Sequence, residues 1–152
     1  LSWYMGFFNI PWLSDWVVSR KEYAFTRRLW GDWSPGWQPE PGVLDDVILT
    51  LSQPGVRSAA LGYYRAALSI KSLFVSAEAA HYAIPVPTLA LSGERDGCIA
   101  SDVFERLTVA DDFPQGVTFH RVVGAGHFLH QEKPEVVNPL LLGWLNQHNH
   151  DR

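Results

Sequence analysis

The apolar positions of this chain change period once along its length. Up to about residue 82 they fall at helical spacing. Ser14 to Leu29 carries Trp16, Val17, Ala24 and Phe25 on one face, with Ser14 as a candidate N-cap, and predicts a helix. Gly31 to Gly42, rich in Trp, Pro and Gly, predicts a loop. Leu44 to Leu51 predicts a short helix through Val47, Ile48 and Leu51. Ser52-Gln53-Pro54 opens another, running to about Ser69 with Val56, Ala60, Tyr63 or Tyr64, and Ala67 aligned. Ile84-Pro85-Val86-Pro87 then breaks any helix and separates residues 1–82 from 83–152. Beyond it the pattern alternates. Val86 to Ser92 predicts a buried strand, Ser101 to Val109 a helix, and Val117 to Val123 a second strand. Lys133 to Gln147 predicts a helix with Val136, Val137, Leu140, Leu141 and Trp144 inward. Strand, helix, strand, helix is a parallel α/β pattern. Parallel sheets need several neighbours and two covered faces, so two strands are expected to form the edge of something larger.

Composition narrows the possibilities. The 152 residues carry 12 Lys and Arg against 16 Asp and Glu, a balance without the basic footprint of a nucleic-acid or anionic-membrane binder. With 47% hydrophobic and 18% charged residues, intrinsic disorder is excluded. The apolar run from Leu1 to Val18 is interrupted by Asn9, Pro11 and Asp15, so no membrane span is expected there. It also lacks a basic leader and cleavage site, which makes a cytoplasmic location the expectation. The single cysteine, Cys98, cannot form an internal disulfide. Fifteen of the twenty aromatic residues precede residue 83, so the helical part is the apolar one.

Chemistry gathers after the two strands, where open α/β sheets place reactive groups. The first is followed by Gly93-Glu94-Arg95-Asp96-Gly97 and the second by Gly124-Ala125-Gly126-His127. An Asp in a glycine-flanked loop is by itself most often a turn former, and a lone His is more often structural. Asp then His, at matching ends of consecutive strands, is instead the order in which an α/β-hydrolase supplies its acid and base. A carboxylate holds an imidazole in one tautomer and stabilises it when protonated. His127 and His130 lack a third ligand, so no metal site is expected. His148 and His150 lie in a polar tail, and Cys98 reads as a small hydrophobe. The nucleophile such a pair would serve is missing. The only glycines four apart, Gly93 and Gly97, flank Arg95, so there is no Gly-x-nucleophile-x-Gly elbow, nor any His-Gly oxyanion loop.

Four segments carry a resemblance: Ser-Trp-Tyr-Met-Gly-Phe-Phe-Asn-Ile-Pro at 2–11, Gly-Tyr-Tyr-Arg at 62–65, Gly-Glu-Arg-Asp at 93–96 and Gly-Ala-Gly-His-Phe at 124–128. Together they resemble the α/β-hydrolase-fold epoxide hydrolases. The likeness runs along essentially the whole chain and implies a helical cap at 1–82 followed by the last two strands and helices of the core at 83–152. It implies that Tyr4 and Tyr64 donate hydrogen bonds to the epoxide oxygen, a role suited to a phenol that stays protonated at neutral pH. It also implies that Asp96 orients His127, which activates water to hydrolyse an alkyl-enzyme ester to a diol. Trp3, Phe7, Phe8 and Phe128 are candidate pocket walls for a small lipophilic epoxide. No cofactor or metal is implied. The family's first half, nucleophile included, has no counterpart here and the chain starts at Leu1, so it is expected to be a C-terminal portion, inactive alone. The missing half, or a second copy, would cover the sheet edge. Other readings remain open: a portion of a haloalkane dehalogenase or esterase, a non-catalytic ligand-binding module, or a self-associating chain.

Overall fold

The computed structural model describes residues 3–67 and 83–148, apart from the side chains of Trp3 and Ala67. Ser69, which ends the last helix predicted before the boundary, and His150 lie outside the described residues. Two compact units are present. One comprises residues 1–32 and 38–80, the other residues 33–37 and 81–152.

The first unit is helical, with α1 (Trp3–Phe8), α2 (Leu13–Ser19), α3 (Ala24–Trp33, whose last residue belongs to the second unit), α4 (Val43–Ser52) and α5 (Val56–Ala67). The single helix predicted over 14–29 is two helices. Lys21, Glu22 and Tyr23 all adopt left-handed backbone, with φ of 48, 53 and 60°. Such a run costs on the order of 1–3 kcal/mol per residue and persists only when tertiary contacts dictate it. Buried Tyr23 supplies them: its hydroxyl donates to Leu51 O at 3.1 Å and accepts from Arg57 Nη1 at 3.2 Å. Ser14 is not a cap either. Trp12 occupies the N-cap position, while Ser14 is buried inside α2 and its hydroxyl donates to Ile10 O at 2.8 Å.

Arg65 ties three of these helices together. Its Nε donates to Phe8 O at 3.0 Å, at the end of α1, and its Nη2 reaches Ser14 Oγ at 2.8 Å and pairs with Asp15 on α2. A planar guanidinium can serve several acceptors at fixed angles, which a lysine could not reproduce. On α5 the buried face therefore runs through Leu61, Tyr64 and Arg65, with Ala60 and Tyr63 on the exposed side.

The second unit follows the predicted order. Strand β1 (Thr88–Gly93) leads to α6 (Ser101–Leu107) and a 3-10 turn at Ala110–Asp112. Strand β2 (Val117–Val122), α7 (Leu129–Glu132) and α8 (Pro134–His148) follow. β1 and β2 pair in parallel, from Thr88 opposite Val117 to Gly93 opposite Val122, and form the whole sheet among the described residues. Their carboxyl ends are thus level, and the loops that follow leave from one place. Val122 at the end of β2, Ala125 in the loop after it and Val137 on α8 make a core, with Leu91 and Leu129 packed on it. Of the predicted inward face of α8, only Val137 is buried, while Val136 and Leu141 are exposed. Periodicity identifies a helix face but not the width of what it meets, and two strands present a narrow surface. No helix among the described residues is long and apolar enough to cross a membrane.

Candidate active site

Asp96 and His127 meet beyond the carboxyl ends of β1 and β2. The loop after β1 turns on the carboxylate itself: Asp96 Oδ1 accepts the backbone N–H groups of Cys98 at 2.7 Å and Ile99 at 2.9 Å. That turn, typical of Asp after a strand, fixes the side chain so that Oδ2 faces His127 Nδ1 at 3.0 Å. A carboxylate can only accept here, so Nδ1 carries the proton and Nε2 the lone pair, the tautomer of a general base. The Asp96 side chain is 9% exposed and that of His127 31%, an oriented acid beneath a reachable imidazole. The turn and the catalytic reading are not alternatives: one oxygen makes the turn and the other holds the histidine.

Burial pushes the Asp96 carboxyl upward, but the hydrogen bond from His127, the Ile99 and Cys98 amides and the histidine's charge together outweigh it and hold the group below its ordinary value. A depressed carboxylate pKa contributes stability above the unfolded-state value, roughly 4, and loses it as pH falls through the folded value. The stability difference between the native chain and Asp96→Asn is therefore expected to be constant at neutral pH and to shrink below about pH 4. Urea denaturation across the acid limb measures this, and a difference that stays constant through that limb would contradict it.

Around the pair sit Trp33, whose ring centroid is 5.2 Å from that of His127, and Phe128, also at 5.2 Å. Trp37 is 6.0 Å from Phe128. Two residues escaped sequence reasoning. Fully buried Ser34 donates to Glu132 Oε1 at 2.7 Å and accepts the His127 N–H at 3.1 Å. Glu132 accepts the N–H of Gly126 through Oε2 at 2.7 Å and that of Phe128 through Oε1 at 3.0 Å. Cys98 is buried, and donor atoms of Asp96, Cys98 and His127 lie within 4.8 Å of one another. These are the described residues that could hold a metal ion. Both Asp96 oxygens are already committed, so a cation would have to displace the histidine or the turn amides.

The cap candidates lie in the first unit. Tyr4 is 4% exposed, and its ring meets that of Tyr64 edge-on at 6.1 Å. Tyr64 also packs against Phe8 at 4.9 Å, whereas neighbouring Tyr63 is 74% exposed. Phe7 and Phe8 belong to the same aromatic cluster, both touching Phe25, and Phe8 is buried in it. Trp3 begins α1, and its side chain lies outside the description.

No protein-family model matches the chain. Human epoxide hydrolase 4 is 28% identical over 151 residues, which are 95% of this chain and 39% of that protein. Mouse epoxide hydrolase 3 is 27% identical over 147 residues, 93% of this chain and 37% of its own length. The chain thus spans about two-fifths of the length of the curated relatives it matches. The solved structure of Cfl2 from Burkholderia cenocepacia superposes with a TM-score of 0.63 at 21% identity, over 93% of this chain and 47% of that one, a likeness of fold. In sequence the chain is similar to epoxide hydrolases, and its helices followed by two parallel strands match part of an α/β-hydrolase fold.

Proposed function

We propose that this chain carries the general base, its orienting acid and the epoxide-oxygen donors of an epoxide hydrolase that works through an alkyl-enzyme ester. The observation that carries the reading is the Asp96–His127 pair, with Nδ1–H held by a carboxylate that its own turn locks in place. The relatives' names supply the reaction class. The nucleophilic carboxylate comes from sequence outside these 152 residues, because no Gly-x-nucleophile-x-Gly elbow occurs within them.

In the first step that carboxylate attacks an epoxide carbon, and the ring C–O bond breaks. The developing alkoxide takes hydrogen bonds, then a proton, from the phenols of Tyr4 and Tyr64. In the second step His127 Nε2 removes a proton from water, and the hydroxide adds to the ester carbonyl. The acyl–oxygen bond breaks, the imidazolium protonates the leaving alkoxide to release the diol, and the proton left on the regenerated carboxyl returns to the tyrosinate, restoring nucleophile and phenol. Asp96 stabilises that imidazolium. The aromatic first unit and Phe128 favour a small lipophilic epoxide.

Styrene oxide and p-nitrophenyl acetate distinguish the reactions. In a protein that joins this chain to its nucleophile, the pair of changes Tyr4→Phe and Tyr64→Phe is expected to slow diol formation by about 10²–10³-fold, as loss of oxyanion donors does. Ester cleavage, which has no epoxide oxygen to protonate, should change little. The 152-residue chain alone should form no diol. Full diol formation without the two hydroxyls, or turnover of the ester but never the epoxide, would replace this reading with a dehalogenase or esterase one.

A further inference from the structure

We infer that Ser34 and Glu132 are positioning residues for His127, forming a clamp on the backbone that presents the imidazole to Asp96. The inference rests on reading His127 as the base. It does not depend on which substrate that base serves.

Three consecutive N–H groups, those of Gly126, His127 and Phe128, turn toward the same two side chains. Gly126 and Phe128 donate to the two oxygens of Glu132, and His127 donates to Ser34 Oγ and to Trp33 O, the latter at 3.2 Å. Successive amides converging in this way make an anion-binding concavity. Here the anion is the chain's own Glu132, folded back from the end of the four-residue α7. The Ser34 hydroxyl completes it, donating to Oε1 while it accepts from the histidine amide. Hydrogen bonds to a charged acceptor are about twice as strong as neutral ones, so the segment carrying His127 is held on both sides.

Two further features show what the clamp aligns. Trp33 O accepts from Gly97 at 3.0 Å as well as from His127, so the loops bearing acid and base hang on one carbonyl. A Cβ at Gly126 would lie 2.6 Å from Ser34 Cα, so the two backbones are in contact rather than merely linked by long side chains. Ser34 and Glu132 bond the backbone N–H groups around the imidazole, so each works through the main chain. Capping α7 would need a single acceptor. Buried Ser34 and half-buried Glu132, 98 positions apart, converge on three amides and so fix a direction as well as a helix end.

Glu132→Gln keeps shape and volume but replaces one accepting oxygen with an NH₂ that faces an N–H. Ser34→Ala removes the hydroxyl. Imidazole ¹⁵N shifts of His127 in the 152-residue chain, recorded at about pH 8, report its tautomer and the exchange of its Nδ1 proton. The native chain is expected to show the Nδ1–H tautomer. Each variant should populate the Nε2–H form, with the Nδ1 proton exchanging about tenfold faster. Ser14→Ala, a buried hydroxyl of the first unit, serves as control, lowering Tm without altering the imidazole. Glu132→Gln and Ser34→Ala chains that lose Tm but keep the native tautomer and exchange rate would overturn the inference, as would a native chain lacking the Nδ1–H form. Absence of diol in the activity assay would sink the epoxide reading and leave this result untouched.

Discussion

Exchange of Asp96 for asparagine in an enzyme containing this chain is expected to slow ester hydrolysis by about 10⁴-fold while leaving epoxide opening nearly intact. The size follows from tautomer control rather than from loss of a charge alone. Asp96 Oδ1 accepts two backbone N–H groups, from Cys98 and Ile99, and only an oxygen can do that. The asparagine carbonyl must therefore take the Oδ1 position, which leaves its NH₂ facing His127 Nδ1, where Oδ2 now sits at 3.0 Å. An NH₂ can only donate, so Nδ1 becomes the acceptor and the proton moves to Nε2. The nitrogen that should deprotonate water would then carry a proton.

In the proposed mechanism the opening step uses the nucleophile and the phenols of Tyr4 and Tyr64, none of which this change touches. A covalent ester should accordingly accumulate to near one equivalent, visible as a mass increase equal to that of the epoxide. His127→Gln, which deletes the base and keeps Asp96, should trap the same adduct. Steady diol production by Asp96→Asn within about tenfold of the parent would show that Asp96 does not set the tautomer. Failure of either variant to form an adduct would show that the pair acts before, rather than after, ring opening.

What could be seen in the sequence follows what is local. The two strands and their glycine-rich ends were legible because β-branched runs stop at turn residues, and the order Asp then His survives any error in element boundaries. The break at residues 20–23 was not, since neither Gly nor Pro marks it. Tyr23 imposes it through Leu51 and Arg57, partners 28 and 34 positions away. Ser34 falls in the Trp/Pro/Gly loop predicted over 31–42, and Glu132 falls just before the helix predicted from Lys133. Their meeting across 98 positions has no local period, and only the folded chain brings Trp33–Trp37 into the second unit. The exposure of Val136 and Leu141 shows the same limit, because an amphipathic helix announces a face without the extent of its partner.

Among the glycines whose surroundings are described, Gly93 should be the one where an added methyl destabilises most, Gly93→Ala costing about 4 kcal/mol or more in the second unit. Gly93 ends β1 opposite Val122. A Cβ there would lie 2.0 Å from Gly126 O and 2.6 Å from Ala125 O, far inside van der Waals contact. Both obstacles are backbone carbonyls of the His127 loop, so no rotamer change relieves them, and one of the two loops must shift. A shift of about 1 Å is enough to cost on the order of 10²-fold in a catalytic geometry, so the imidazole should lose its Nδ1–H tautomer along with the stability. Gly124 and Gly62 supply the contrast, with nothing within 4 Å of a Cβ at either. Gly124→Ala pays only for its positive φ of 72°, about 1 kcal/mol. Gly62→Ala, inside α5, should be stabilising by about 0.5–1 kcal/mol. Denaturant midpoints for the three variants test the ordering, and a Gly93→Ala chain as stable as Gly124→Ala would refute it. Close approach of the strand ends is what lets two short loops place Oδ2 and Nδ1 in hydrogen-bond contact, so the residue without a side chain here sets the distance between Asp96 and His127.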